Sequence, residues 1–421
     1  MRFVVYNHTL ITLDGTRINR KFIALKLDDG TLRFTNLHKY IFPKKRNVRP
    51  MSADSNNRVY FIVQLLNYAF FTCGIHALSE LTVEMVSDFL NDYGNCELPD
   101  DDDDTSRSKQ TVEKCICSIM DFLENLLAAF KGRMSFKREA LYQEIQVRNK
   151  RGQVIKKIVP VFPVLYKDNG AVRRVYRDMP NEAFKVIFGH IFENHKEILM
   201  LVALSAFAGL RPSEACNVRR EDSRLGPGLL FEIVAGETTG IKIDLNHEYV
   251  LRSDLKPVGC IKKERMQKVP DIFLDAFVVC YNEYMKYIEG RWYEADYGPL
   301  SINRQCKAYT YPSYRQQFQK IIKNEIVPLL LGSNDPELVI YGHTLMEHNI
   351  SPHIFRHWYT VQLVLSGIND PGTLMKLRGD TSPESSLVYL QDKGDLEREY
   401  RKVSNEAFNY LKWAARRLSD D

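Results

Sequence analysis

The apolar period of this chain changes once, early. Residues 1–48 alternate apolar and polar around turn signals, first FVVYNHTLITLDGTRI and then FIALKLDDGTLRF with its Asp-Asp-Gly, a pattern that predicts a small antiparallel sheet. From Ser52 the spacing becomes helical. Val59, Ile62, Leu66 and Phe70 recur on one face, and SELTVEMVSDFLND and TVEKCICSIMDFLENLLAAF predict two further amphipathic helices. Between these two lies the run Asp100 to Asp104, which reads as a solvated loop that would repel nucleic acid. The expected class is mainly α with small β-sheets, α+β rather than a wound parallel sheet.

The chain is 421 residues long, which suits two or three domains. Residues 1–50 form the basic β-rich segment and 51–132 the helical domain. Residues 133–177 form a basic connector with a hairpin, EIQVRNKRGQVIKKIV, turning at Lys150-Arg151-Gly152. A larger domain spans 178–421. It opens with one long apolar helix, EAFKVIFGHIFENHKEILMLVALSAFAGL, and holds few strands: GLLFEIVAG, HEYVLRSDL and VGCIKKERMQKVPDIF. No apolar run reaches the roughly 18 residues of a membrane helix, and the first residues lack the pattern of a secretory leader, so a soluble cytoplasmic chain is expected. Its eight cysteines show no metal-ligand spacing and read as reduced thiols, mostly in cores.

Charge is unevenly spread. Residues 1–50 carry 11 Lys/Arg against 3 acidic residues and residues 133–177 carry 12 against 3, so on a net charge of +5 the rest of the chain is acidic by 12. Two basic strips on an acidic chain fit either contact with a polyanion or ordinary solvated loops.

Three short stretches carry the chemistry. In SPHIFRHWYT, Ser351 is a good N-cap and Pro352 suits the first turn, so a helix is expected from here to the Gly367 stop. It would set His353, Arg356 and His357 at its positive N-terminal end, an arrangement suited to an anion. In SAFAGLRPSEACNV an apolar helix ends at Gly209-Leu210 and Arg211 stands at the elbow before the next, with Glu214 placed to orient it. LRGDTSPESSLVYL supplies Asp380 and Tyr389, the latter 33 positions after Arg356.

GLRPSE, HIFRH and the stretch ending in Tyr389, in this order, resemble the three signature boxes of the tyrosine recombinases, or phage-type integrases, over residues 52–421. The resemblance implies a helical core-site-binding domain at 51–132 and a catalytic domain at 178–421. It implies Tyr389 as the nucleophile that forms a 3′-phosphotyrosyl intermediate, and Arg211 and Arg356 as a clamp on the scissile phosphate. Phenols have a pKa near 10 and are poor nucleophiles at neutral pH, and planar guanidinium forks meet the need for charge stabilisation. His353 takes the box-two histidine position, His357 the supporting one. The general acid would be the lysine of a hairpin between the arginine boxes, Lys262 with Pro270 fitting the spacing and Lys263 its immediate competitor, since one residue of slip reverses the exposed side chain. Asp380 is a departure, standing nine residues before Tyr389 where the family usually carries histidine or tryptophan. A carboxylate cannot donate to phosphate.

The resemblance further implies double-stranded DNA as partner, a homotetramer on paired sites, accessory DNA-bending proteins, and neither metal nor cofactor. It places the chain with the nucleoid of a prokaryotic host or its mobile element. Arg148, Lys150, Arg151, Lys156, Lys157, Arg173 and Arg174 would meet phosphates. Residues 1–50 are either an arm-site DNA-binding domain or an extra sheet on the helical domain. The C-terminal stripe Leu396, Tyr400, Val403, Ala407, Leu411, Ala414 and Leu418 either packs on its own domain or docks on a neighbouring protomer. A relaxing topoisomerase and a DNA-binding protein that has lost turnover are the competing readings.

Overall fold

A computed structural model describes residues 1–41, 55–99, 107–148, 154–162, 164, 179–290, 297–348 and 350–380. The chain divides into two compact units, one of Met1–Leu10 with Ile18–Val172 and the other of Ile11–Arg17 with Arg173–Asp421. The described residues are mainly helical, with three small antiparallel sheets.

In the smaller unit β1 (Arg2–Ile11), β2 (Arg17–Lys26) and β3 (Leu32–Phe34) form a sheet in chain order. Three helices follow: α1 (Ser55–Asn67), α2 (Val83–Asn95) and α3 (Lys109–Phe130). The helical stripe explains their packing, because Val59, Ile62 and Leu66 of α1, Phe89 and Leu90 of α2, and Ile119, Phe122 and Leu123 of α3 are all buried in one core. Phe3 and Ile23 enter the same core from the sheet, so the N-terminal strands and the helices share one apolar interior. Asn67 fixes the join: its Oδ1 accepts from the Phe3 N–H at 2.7 Å and its Nδ2 donates to the Phe3 carbonyl at 3.0 Å. The connector hairpin consists of β4 (Tyr142–Arg148) and β5 (Val154–Pro160), paired antiparallel from Tyr142 opposite Pro160 to Arg148 opposite Val154.

The larger unit departs from expectation at its first helix. The apolar run from residue 182 is two helices, α4 (Asn181–Asn194) and α5 (Lys196–Phe207), because His195 leaves helical geometry at φ −131°, ψ 54°. No glycine or proline marks the break. Helix α5 is buried on every side from Glu197 to Phe207 and is the centre of this unit's core. A four-residue helix, α6 (Pro212–Ala215), precedes the sheet of β6 (Leu229–Val234), β7 (Glu237–Asp244) and β8 (Met266–Lys268). Strand β7 lies in a stretch not read as extended, whereas HEYVLRSDL forms only an isolated bridge at Tyr249 and the lysine-bearing stretch is a strand only over β8. Then come α7 (Asp271–Ile288), α8 (Tyr311–Ile321) with a π-turn over Ile322–Ile326, α9 (Val327–Leu331), α10 (Pro336–Glu347), α11 (His353–Leu365) and α12 (Pro371–Arg378). Phe184 of α4 stacks on Trp358 of α11 at 3.7 Å between ring centroids, seating α11 on the core.

None of the eight cysteines is in a disulfide; Cys96, Cys115, Cys216 and Cys280 are buried, while Cys73 and Cys117 are exposed, so core placement holds for half of them. Among the described residues no helix is long and apolar enough to cross a membrane.

Candidate active site

Arg211 leaves the chain at the elbow between α5 and α6. Gly209 makes that elbow with φ +66°, and a Cβ there would lie 2.3 Å from the Tyr359 ring, so the turn and the close approach of α11 both require glycine. Pro212 begins α6, and Glu214 reaches back to accept the Arg211 N–H at 3.1 Å and its Nη1 at 3.0 Å.

Arg356 comes from the first turn of α11. That helix starts at His353, with Pro352 as its boundary residue and no side-chain cap, so Ser351 does not act as the N-cap; Pro352 holds helical angles where a capping geometry would be extended. Its C-terminal end falls at Leu365, and Gly367 follows with φ +101°. The Arg356 side chain is only 1% exposed, donating from Nη1 to the Gly209 carbonyl and from Nη2 to Asp380 Oδ1 at 2.7 Å. Arg211 Nη2 meets the same Asp380 oxygen at 2.6 Å. Two guanidinium groups 145 positions apart in sequence therefore share one acceptor atom.

Two further arginines join them. Arg378, at the end of α12, donates from Nε to Asp380 Oδ2 at 2.7 Å and from Nη1 to Thr360 at 3.0 Å. Arg265 forms a fork on Glu214, 3.2 Å to Oε1 and 2.9 Å to Oε2. Gly379 ends α12 in the left-handed region at φ +63°, and a Cβ there would lie 2.1 Å from Arg265 Nε, so glycine lets the chain turn Asp380 inward past that guanidinium. Sequence reasoning missed Arg265 and Arg378 as site residues. The signal for Arg378 was adjacency to Asp380 in LRGD; Arg265 had only its place in the basic KKER stretch.

Among the described residues, four guanidinium groups against the carboxylates of Glu214 and Asp380 leave an excess of positive charge, and Lys263 adds to it by donating from Nζ to the Asp380 carbonyl at 3.2 Å. Burial works to raise the Glu214 pKa, but the Arg265 hydrogen bonds and the Arg265, Arg211 and Arg356 charges outweigh it and hold it at about 2. Burial, with the charge of Arg211, lowers Arg356 to about 9, still charged at neutral pH. His353, on the same turn of α11, is pushed down to about 4 by burial and by the Arg356 and Arg211 charges, so its ring is neutral at pH 7. The His357 ring stands edge-on to it at 5.0 Å.

Lys262 is exposed and gives its backbone N–H to Glu214 Oε1 at 3.3 Å. The Lys263 amine reaches the arginine cluster. The spacing to Pro270 favours Lys262, with Lys263 as competitor; residues 258–265 contain no strand, so strand parity does not choose between the two. Tyr389, Lys150, Arg151, Arg173, Arg174 and the stripe from Leu396 to Leu418 lie outside the described residues, as does the side chain of Arg148 at the end of β4. Lys156 and Lys157 are exposed on β5, opposite Gln146 and Ile145, and so point to opposite faces of the hairpin; Lys156 also pairs with Glu144 at 2.6 Å.

No protein-family model and no curated protein matches the chain. Among solved structures, the chain is similar to recombinases and integrases. The Tn1549 transposon integrase in complex with a circular intermediate DNA is 14% identical, with 84% of this chain and 95% of that one covered at a TM-score of 0.48. XerA recombinase is 14% identical, with 85% and 93% covered at a TM-score of 0.34. A lambda integrase dimer bound to a core site is 10% identical, with 83% and 92% covered at a TM-score of 0.43.

Proposed function

We propose that this protein is a tyrosine recombinase, an integrase of a mobile element that cleaves and rejoins double-stranded DNA through a 3′-phosphotyrosyl intermediate. The single observation that carries the reading is the meeting of Arg211 and Arg356 on one oxygen of Asp380, because two forks that can share a carboxylate oxygen can grip the non-bridging oxygens of one phosphate. Arg211, 17% exposed at its side chain, is where a phosphate would first meet the cluster, and Arg356 lies beneath it. Glu214 and Arg265 hold Arg211 in place, and Arg378 helps hold Asp380.

Tyr389 is the nucleophile. It attacks the phosphorus, its proton passes to a base for which the neutral His353 ring is suited, and the 5′-oxygen leaves with a proton from Lys263. Lys156 and Lys157, with Arg148, Lys150, Arg151, Arg173 and Arg174, contact the duplex backbone. The active assembly is a tetramer on paired sites, with accessory DNA-bending proteins.

Asp380 favours a second reading. Its carboxylate occupies both clamp arginines, as would suit a DNA-binding protein of this fold that has lost turnover. One experiment separates them. Nicked duplexes of randomised sequence are incubated with the protein, denatured, and scored for DNA that stays covalently attached. Attachment by wild type and none by Tyr389→Phe is the expected result. DNA binding without attachment by wild type would overturn the enzymatic reading. Placing sulfur at the bridging 5′ position, which leaves without protonation, should rescue Lys263→Ala but not Arg211→Ala.

A further inference from the structure

The helix break at His195 has a chemical companion. His190 on α4, His195 at the α4–α5 junction and Glu325 in the π-turn after α8 bring one ligand atom each within 4.8 Å of one another. His190 Nε2 lies 2.8 Å and His195 Nε2 2.7 Å from the same oxygen, Glu325 Oε2. We propose that these three side chains form a binding site for a divalent transition-metal ion, zinc by its donor preferences, with a remaining position open to water.

The hydrogen bonding of the histidines points to a missing ligand. With both Nε2 atoms donating to the carboxylate, each neutral ring carries its lone pair on Nδ1. For His190 this is accommodated, because Asn194 Nδ2 stands 3.3 Å from Nδ1. For His195 it is not. Its Nδ1 is buried without a hydrogen-bond partner and lies 3.8 Å from Glu197 Oε1, so in that tautomer a lone pair would face a carboxylate. Glu197 is fixed there by Gln317 at 2.5 Å and Arg304 at 3.2 Å. A metal on Nε2 reverses the tautomer: Nδ1 then carries the proton and donates toward Glu197, the carboxylate-histidine-metal arrangement that orients ligating imidazoles.

The donor set and spacing also fit. Two imidazoles and one carboxylate are a standard set for zinc with an open position. Tetrahedral bonds of about 2.0–2.1 Å place ligand atoms roughly 3.3 Å apart, so the two histidine–Glu325 separations need to open by only about half an ångström. The π-turn, a geometry frequent at functional sites, carries Glu325. Bound there, the ion would pin the α4–α5 junction to the segment joining α8 and α9, independently of the reaction proposed for the arginine cluster.

The test is titration of the chelator-treated, full-length chain with cobalt(II), followed by displacement with zinc. One equivalent should give the intense visible absorption of a low-coordinate cobalt site and be displaced by zinc. Zinc should raise the Tm by about 5 °C or more. Glu325→Gln should keep a metal-free Tm close to wild type and lose both the absorption and the zinc response, His195→Gln should lose both as well, and His348→Gln should keep them. Absence of saturable binding to wild type, or binding undiminished in Glu325→Gln, overturns the site and leaves a hydrogen-bonded cluster only.

Discussion

Arg211, Arg265, Arg356 and Arg378 gather around two carboxylates, whereas His190 and His195 gather around one, and the two clusters select opposite ligands. Guanidinium offers only donors and does not shed its charge, so an excess of it attracts anions. Imidazole offers a lone pair as soon as its proton moves to the other nitrogen, so a pair of imidazoles facing a carboxylate attracts a cation. The same element, an acidic side chain between basic ones, is thus proposed as placeholder for phosphate in one cluster and as metal ligand in the other.

The widest difference should appear on removing the shared carboxylate. Glu214 is fully buried under two arginines, and Glu214→Ala should cost about 3–5 kcal/mol by urea denaturation. Glu325 is 38% exposed at its side chain, and Glu325→Gln without metal should cost under about 1 kcal/mol. Equal losses would break the contrast.

Next in size is the response to acid. His353 is denied its proton by burial and by the arginines around it, so below the ordinary imidazole value of 6.5 the unfolded chain binds a proton that the folded chain refuses. Stability should be unaffected above about pH 6.5 and decline as pH falls from there to about 4, by roughly 3 kcal/mol in full. His353→Gln should flatten that segment of the curve. A wild-type curve already flat between these values would mean that His353 is not held down by burial and the arginine charges beside it.

Gly209→Ala should cost about 1–3 kcal/mol by the same measurement, because the added carbon meets Tyr359 and the backbone is left-handed. Asp380→Asn gives the smallest effect and the sharpest one. It removes a negative charge from the place where phosphate is proposed to sit, so inorganic phosphate should stabilise this variant by about 1 kcal/mol more than wild type, read as a Tm shift of roughly 2–4 °C. No added response would mark Asp380 as a structural bolt with no competing anion.

What the sequence revealed of this follows distance along the chain. The Arg211 elbow was legible because Gly209, Pro212 and Glu214 are local signals with fixed meanings, and the α11 start was legible to within two residues. The fork of Arg265 on Glu214 spans 51 positions, and the His195 to Glu325 contact spans 130, beyond the reach of any periodicity. The apolar run through 182–210 concealed the helix break because no breaker residue stands at His195. Strand β7 was missed because ETTGIKID alternates weakly, with Gly240 inside it, and residues 258–265 have no regular period by which to choose between Lys262 and Lys263.

The carbonyl of Gly209 ties the two clamp arginines mechanically, since Arg356 holds that carbonyl and Arg211 begins two residues beyond it. The base of each arginine is thereby referred to the same stretch of main chain. Displacing the start of α11 must carry the elbow along or break that bond, so the two arginines should shift together.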